Sequence, residues 1–396
     1  MPRRCSGSAA SSLRRACRGR PVLAGGLFAF MPLYCARFSG RGVVIRWMLG
    51  LLLMGCCCLA GAQQRPVSMV FLNPGYSDEP FWVAYSRYMQ DAAGDLGVEL
   101  RVLYGQRDNA RILDNAHQVL AGKRPDYLIF VNEQFTGPEI LRLFEDSEVR
   151  LFALHSTLTP EQQALAGGSR ERYRHWLGSL VPNDEEAGYL MARALIALAD
   201  GKPAEMLAFT GIKQTPSATL RVAGLERALA EAPHVRLQQM LYGEWRQQRA
   251  YEQAQALLPR YPNLNLVWAA NDEMAFGVML AAEEQGRRLH YAALNNSHRV
   301  LQARIERRIE VLASGHFILG GCALVMLYDH SRGLDFAERG GKDQVASLLR
   351  LIDDKDAERL LTRLDQDDIG LDFRTFSATH RPQMSRYACS IDSLLR

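Results

Sequence analysis

The stretch VWAANDEMAFG, residues 267–277, begins as an apolar run and continues as a helical pattern, with Asn271, Asp272 and Glu273 at the join. A continuous apolar run bounded by polar residues fits a strand buried on both faces, as in a parallel sheet covered by helices. The polar join admits two readings. A side chain at a helix start accepts hydrogen bonds from the free N–H groups of the first turn. The carboxyl ends of strands in an open parallel sheet are also where ligands bind.

The same pattern recurs along the body of the chain. Strand-like runs are VSMVFLN, VELRVLYG, YLIFVN, RLFALHS and WLGSLVP, then MLAFTG, VRLQQMLYG, LNLVWAAN, HYAALNN and IEVLAS. Helical periodicity lies between them, at 81–96, 110–121, 184–199, 217–230, 247–258 and 273–285. Strands separated by helix-length crossovers predict an α/β fold with parallel sheets covered on both faces. Ten strands are many for one open sheet, so two similar doubly wound lobes meeting near Pro182 and Asn183 are expected. The cleft between such lobes is a natural small-molecule site. The charged stretch 353–368 is expected as a surface helix.

Charge is distributed unevenly over the 396 residues. Residues 1–62 hold nine arginines and no acid, and without them 38 basic side chains face 43 acidic ones. A mildly acidic body is a poor match for nucleic acid. The segment VVIRWMLGLLLMGCCCLAGAQQ, residues 43–64, has the basic residue, short apolar run and small-residue cleavage site of an export signal. Its apolar run is short for a membrane span, and LMGC ending at Cys56 only loosely resembles a lipoprotein box. Residues 1–62 are thus read as an upstream extension plus signal peptide, which places the remainder in the periplasm. Six of the eight cysteines lie in that segment. An oxidising compartment permits Cys322 and Cys389 to pair, and a buried thiol with a second near the C-terminus is the alternative.

The predicted strand ends carry an unusual set of side chains. Phe81 and Trp82 stand at the mouth of the first helix. Neighbours on a helix point about 100° apart, so one of the pair is expected to face the cleft. Glu133 follows the third strand, and His155 and Ser156 the fourth. In the second half come Arg221 on a helix, then Trp245, Asn271, Asn295 and, after the last strand, His316. Each alone has an ordinary structural explanation. Together they offer aromatic faces, a guanidinium and amides, which suit a ligand rich in hydroxyls.

These residues also carry a family resemblance. ANDEMAFGVMLAAEEQG, PFW at 80–82, TLRVAGLERAL and GSLVPNDEEAGYLMA resemble segments of type I periplasmic binding proteins, in particular the ribose-binding group of sugar receptors. The resemblance spans nearly all of the chain after Gln64. It implies two lobes joined by a three-strand hinge, with 66–182 and 316–370 in the N-terminal lobe and 183–315 and 371–396 in the C-terminal lobe. The later hinge crossings are expected near 314–317 and 371–376. It further implies that Phe81, Trp82, Glu133, His155, Ser156, Arg221, Trp245, Asn271, Asn295 and His316 contact the ligand. Asp272 is assigned to capping and Asn271 to the ligand. The chain departs from the family at the His155–Ser156 pair, where Asp-Arg is usual, at Asn295 in place of an aspartate, and at Gly315 in place of a glutamine. Ribose itself is therefore not expected.

The implied function is a periplasmic receptor that closes on a small sugar-like ligand and delivers it to the permease of an ABC importer. The alternative is a co-receptor for the periplasmic domain of a membrane sensor. A monomer without cofactor or metal is expected. A gene regulator of this fold would carry a DNA-binding headpiece where the apolar export segment stands. Phosphate-loop and nucleophile-elbow motifs are missing. His155 and Ser156 are strand neighbours that point to opposite faces, so catalysis is not expected.

Overall fold

The computed structural model describes residues 65–364, 370–392 and 394–396; the expected extension and signal at 1–62 lie outside them. The chain alternates β1 (Ser68–Asn73), α1 (Pro80–Leu96), β2 (Glu99–Tyr104), α2 (Asn109–Ala121), β3 (Tyr127–Phe130), α3 (Gly137–Leu143), β4 (Arg150–Leu154), α4 (Pro160–Ala166) and β5 (Trp176–Pro182). A second series follows: α5 (Asp184–Ala197), β6 (Ala204–Thr210), α6 (Pro216–Ala230), β7 (Val235–Tyr242), α7 (Gln247–Leu257), β8 (Leu264–Ala269), α8 (Asp272–Glu284), β9 (His290–Leu294), α9 (His298–Ile305) and β10 (Val311–Ser314). The last elements are α10 (Leu319–Ser331), β11 (Asp343–Ala346), β12 (Arg350–Ile352) and α11 (Asp354–Leu364). Proline opens α1, α4 and α6, at a position where the missing N–H has no intrahelical partner to lose.

Two six-stranded sheets form, in the orders β2-β1-β3-β4-β5-β11 and β7-β6-β8-β9-β10-β12. The pairings are parallel except that of β12 with β10. Both faces of the first sheet are buried, and β1 shows how. Val70 and Leu72 pack with Ile112, Ala116 and Ile140 from α2 and α3 on one face. Met69 and Phe71 pack with Tyr85 and Met89 of α1 on the other. The apolar runs noted in the sequence are the consequence of this double covering. α10 was not among the expected helices. It is apolar on every side, from Leu319 to Tyr328, because it is buried on every side, and it shows no amphipathic stripe.

The chain passes between lobes after β5, after β10 and between β11 and β12. The first and third passages are stitched together: Asn183 Nδ2 donates to the Leu349 carbonyl at 3.0 Å, and Leu349 N–H donates to Asn183 Oδ1 at 2.9 Å. At the second, Gly315 has φ +133°, and a Cβ there would lie 1.9 Å from the Leu348 carbonyl oxygen, so the backbones touch.

The third passage corrects the expected boundary. It falls at 347–349, not at 371–376, and β12 with α11 belongs to the second lobe, where α11 packs on α9 and Asp354 pairs with Arg304. The segment expected in the second lobe instead lies on the first. Phe373 is fully buried, and its N–H donates to Asp95 of α1 at 2.8 Å. Asp329 of α10, also fully buried, accepts hydrogen bonds from Ser377, Ala378, Thr379 and Tyr387. The strands that mark the real passage, DQVA and RLI, are too short and polar to show a period of two.

Cys322 of α10 and Cys389 of the tail are disulfide-bonded, with Cα atoms 6.1 Å apart. The bridge spans 67 residues, a loop for which chain-entropy reasoning gives about 4 kcal/mol of stabilisation. Replacing Cys389 by Ser is expected to lower the melting temperature by several degrees, and dithiothreitol to do the same to the unmodified protein. A thermal melt with and without reductant checks this. Equal melting temperatures would show that the disulfide contributes nothing to stability.

Candidate functional site

The carboxyl ends of both sheets face each other across the seam between the lobes. There a cavity is lined by Phe81, Trp82, Arg107, Glu133 and His155 of the first lobe, His316 just past the hinge, and Ser217, Arg221, Trp245, Asn271 and Asn295 of the second. Nine of the ten residues expected at the site are thus brought together. The tenth, Ser156, stands behind the wall, with its hydroxyl 3.0 Å from that of Ser217 across the seam.

The two tryptophans are placed alike. A Cβ on Gly75 would come within 2.1 Å of the Trp82 ring, and one on Gly211 within 1.9 Å of the Trp245 ring, so each indole lies directly on a glycine just past the first strand of its lobe. Phe81 and Trp82 both line the cavity, although neighbours on a helix point about 100° apart. Phe81 stacks on the His316 ring with centroids 4.6 Å apart, and Trp82 meets Phe81 edge-on at 4.9 Å. Backbone strain marks the same places. Arg107, His155, Trp245 and Asn295 all have positive φ, a conformation that non-glycine residues hold only where their surroundings impose it and that clusters at binding sites.

Each charged group in the wall already has a partner. Arg221 Nε donates to Asp184 at 2.7 Å, and one terminal nitrogen donates to the Ala270 carbonyl at 2.7 Å. The guanidinium carbon lies 5.7 Å from the Trp245 ring centroid. Arg107 grips both carboxylate oxygens of Glu79 and donates to Glu133 Oε1 at 2.8 Å. That same oxygen accepts from Thr215 of the second lobe at 3.2 Å, a hydrogen bond across the seam. Burial pushes the Glu133 carboxyl up, and neighbouring Arg107 pulls it back. Burial, with Arg221 and Arg107 adding repulsion, holds His155 down to about 3. His316 lies well below the usual imidazole range from burial and from Arg221 and His155. Both imidazoles are therefore neutral.

The capping assignment is reversed. Asn271, not Asp272, is the N-cap of α8: its Oδ1 accepts from Met274 N–H at 3.0 Å, while its Nδ2 donates to the Trp245 carbonyl at 3.1 Å. It does this while lining the cavity, so one asparagine both caps the helix and fixes the Trp245 loop. Asp272 points to the neighbouring strand end, accepting from Asn295 Nδ2 and Ser297 Oγ, each at 2.6 Å. Arg107, Glu79, Thr215 and Ser217 are the wall residues that sequence reading missed. Arg107 follows β2 in the run YGQRDN, a strand end like those that were read.

Several polar atoms of the wall are buried without a hydrogen-bond partner: Nε1 of Trp82 and Trp245, and Nδ1 of His155 and His316. Such groups are costly to leave unmet, and four around one cavity mark a place built for a polar guest. The space is about 40 Å³, so the lobe-to-lobe contacts at Ser156 and Glu133 must part to admit a ring-sized small molecule. Among the described residues, no group of three or more His, Cys, Asp or Glu side chains is arranged to hold a metal ion, and no helix is long and apolar enough to cross a membrane.

Residues 69–294, more than half of the chain, match the periplasmic binding protein domain. The ribose import binding protein of Salmonella typhimurium is 24% identical over 210 residues, 53% of this chain and 66% of that protein. The chain thus spans just under two thirds of that relative's length. The galactofuranose-binding protein of Escherichia coli is 20% identical over 229 residues, 57% of this chain and 68% of that protein. A crystal structure of a periplasmic sugar-binding protein from Pseudomonas fluorescens is 47% identical, with a TM-score of 0.77, covering 83% of this chain and all of that one. The two doubly wound lobes, the hinge between them and these matches agree: the chain belongs to the periplasmic binding protein domain family.

Proposed function

We propose that the protein is a periplasmic receptor whose lobes close on a small, uncharged, sugar-like ligand and present it to the permease of an ABC importer. The observation that carries this reading is the interlobe cavity, where indole, phenyl and imidazole rings alternate with charged groups that are each already paired. Aromatic faces pack on the C–H surface of a sugar ring, and the unmet indole and imidazole nitrogens take its hydroxyl and ring oxygens. A net charge on the ligand would find no unpaired partner, since Arg107 and Arg221 are held by Glu79, Glu133 and Asp184. The sugar-binding relatives support the same class of ligand. Closure follows if the ligand binds the closed form better than the open one. The role proposed is binding without turnover.

A thermal-shift screen with pentoses, hexoses, polyols, amino acids and organic acids tests this. A ligand at a hundred times its dissociation constant stabilises by about 2.7 kcal/mol. A rise with one or more sugars is expected, and a rise with charged amino acids or organic acids alone would contradict the reading.

Two predictions attach to the wall. Trp245→Ala leaves the ion pairs intact and is expected to weaken sugar binding by tenfold or more in calorimetry, with the melting temperature little changed. Arg221→Ala removes the partner of buried Asp184 and should cost about 3–5 kcal/mol of stability, whereas Arg221→Met combined with Asp184→Asn should recover most of it. Urea unfolding separates the two cases.

Opening exposes the imidazoles to water, where they titrate near 6.5. Their depressed values in the closed form mean that closure is fully favoured above about pH 6.5 and weakens as pH falls toward 3, where the closed form resists protonation. The dissociation constant is expected to be flat from pH 7 to 8 and to rise up to about tenfold per histidine per unit below 6.5. His155→Asn with His316→Asn should flatten that slope. A pH-independent affinity in the unmodified protein would show that the imidazoles do not change environment on closure.

A further inference from the structure

A second chamber adjoins the cavity along the seam. Its volume is about 390 Å³, far more than the roughly 40 Å³ of the first. Phe81 and Asn295 line both spaces and form the partition between them. One wall is the face of α1 that carries Val83 and Ala84, and the opposite wall is the turn from β9 into α9, with Asn296; Leu364 closes one end.

Two features of the chamber are unexplained by packing. Val83 is 41% exposed, an apolar side chain on a helix face that looks across the seam and not into the core. Asn296 is 3% exposed, and its amide nitrogen has no hydrogen-bond partner. A buried, unmet amide is costly in a wall that merely excludes water. The cations at the rim are already engaged. Arg299 donates to Gln247 at 2.8 Å and lies 3.7 Å over the Phe276 ring, and Arg87 also has a partner. What the chamber offers is an apolar floor and one amide donor, which is chemistry for an uncharged group with a C–H face and an oxygen acceptor.

We propose that this chamber is a second subsite, which holds the outer ring of a glycoside or disaccharide whose first ring occupies the main cavity. The inference rests on the sugar-receptor reading above. It accounts for the mismatch in volume: the tight inner cavity selects one ring, and the wider chamber beyond Phe81 takes what is attached to it. Both spaces draw walls from each lobe, so a ligand filling both gains contacts on closure that a single ring does not.

The test is calorimetric titration of the full chain with matched probes: D-galactose against lactose and melibiose, and L-arabinose against α-1,5-linked arabinobiose. At least one disaccharide is expected to bind tenfold or more tightly than its monosaccharide. Val83→Trp, at an exposed position that tolerates bulk, should remove that gain and leave the monosaccharide within twofold. Asn296→Ala should reduce the gain several-fold. A monosaccharide that binds while every disaccharide binds equally or more weakly would overturn this inference and leave the sugar reading standing. A gain that survives Val83→Trp would also overturn it. If none of these probes binds and no sugar of the thermal-shift screen does either, the sugar reading falls and the second subsite with it.

Discussion

Covering both faces of each parallel sheet leaves polar chemistry one place to go. Residues along β1, β3 and β8 pack above and below the sheet, so side chains that need water or a ligand collect where the strands end. Both sheets turn those ends toward the same seam. The hinge keeps them there, because Asn183 bonds two of its passages together and Gly315 brings the backbone of the second against the third. The cavity is therefore a product of topology before it is a product of any single side chain.

Within that frame the electrostatics favour a neutral guest. Desolvating a charge is expensive unless it is paired, and the wall solves this internally. Arg107 bridges Glu79 and Glu133, and Arg221 is set on Asp184. His155 and Asn295 stand at the cavity in place of acids, yet carboxylate and guanidinium still reach it, from Glu79 and from Arg107 in the loop after β2. The indole and imidazole nitrogens that remain unmet are the groups a ligand would satisfy.

Much of the fold was legible in the sequence because it rests on long periodic segments. All ten expected strands and the six expected helices exist, and the strand-to-helix join at 267–277 stands in the central region of the second sheet. What stayed hidden lacked a period. DQVA and RLI are too short, and α10 is apolar all round, so neither the third hinge passage nor the return of the tail to the first lobe was readable. Nine of the ten expected site residues line the cavity because strand ends can be read one by one. Arg107 follows β2, a half-exposed edge strand whose end stands out less in the sequence than those of the buried strands. The cap of α8 falls on Asn271 and not on Asp272, because capping depends on backbone angles that composition does not reveal.

The central claim is that the lobes close on a sugar in the seam. Small-angle X-ray scattering of the protein alone and with a saturating sugar tests it most directly. The account predicts a smaller radius of gyration with the sugar present, and a smaller change when Trp245 is replaced by Ala at the same sugar concentration. Binding proven by calorimetry with an unchanged scattering curve would contradict closure around the ligand.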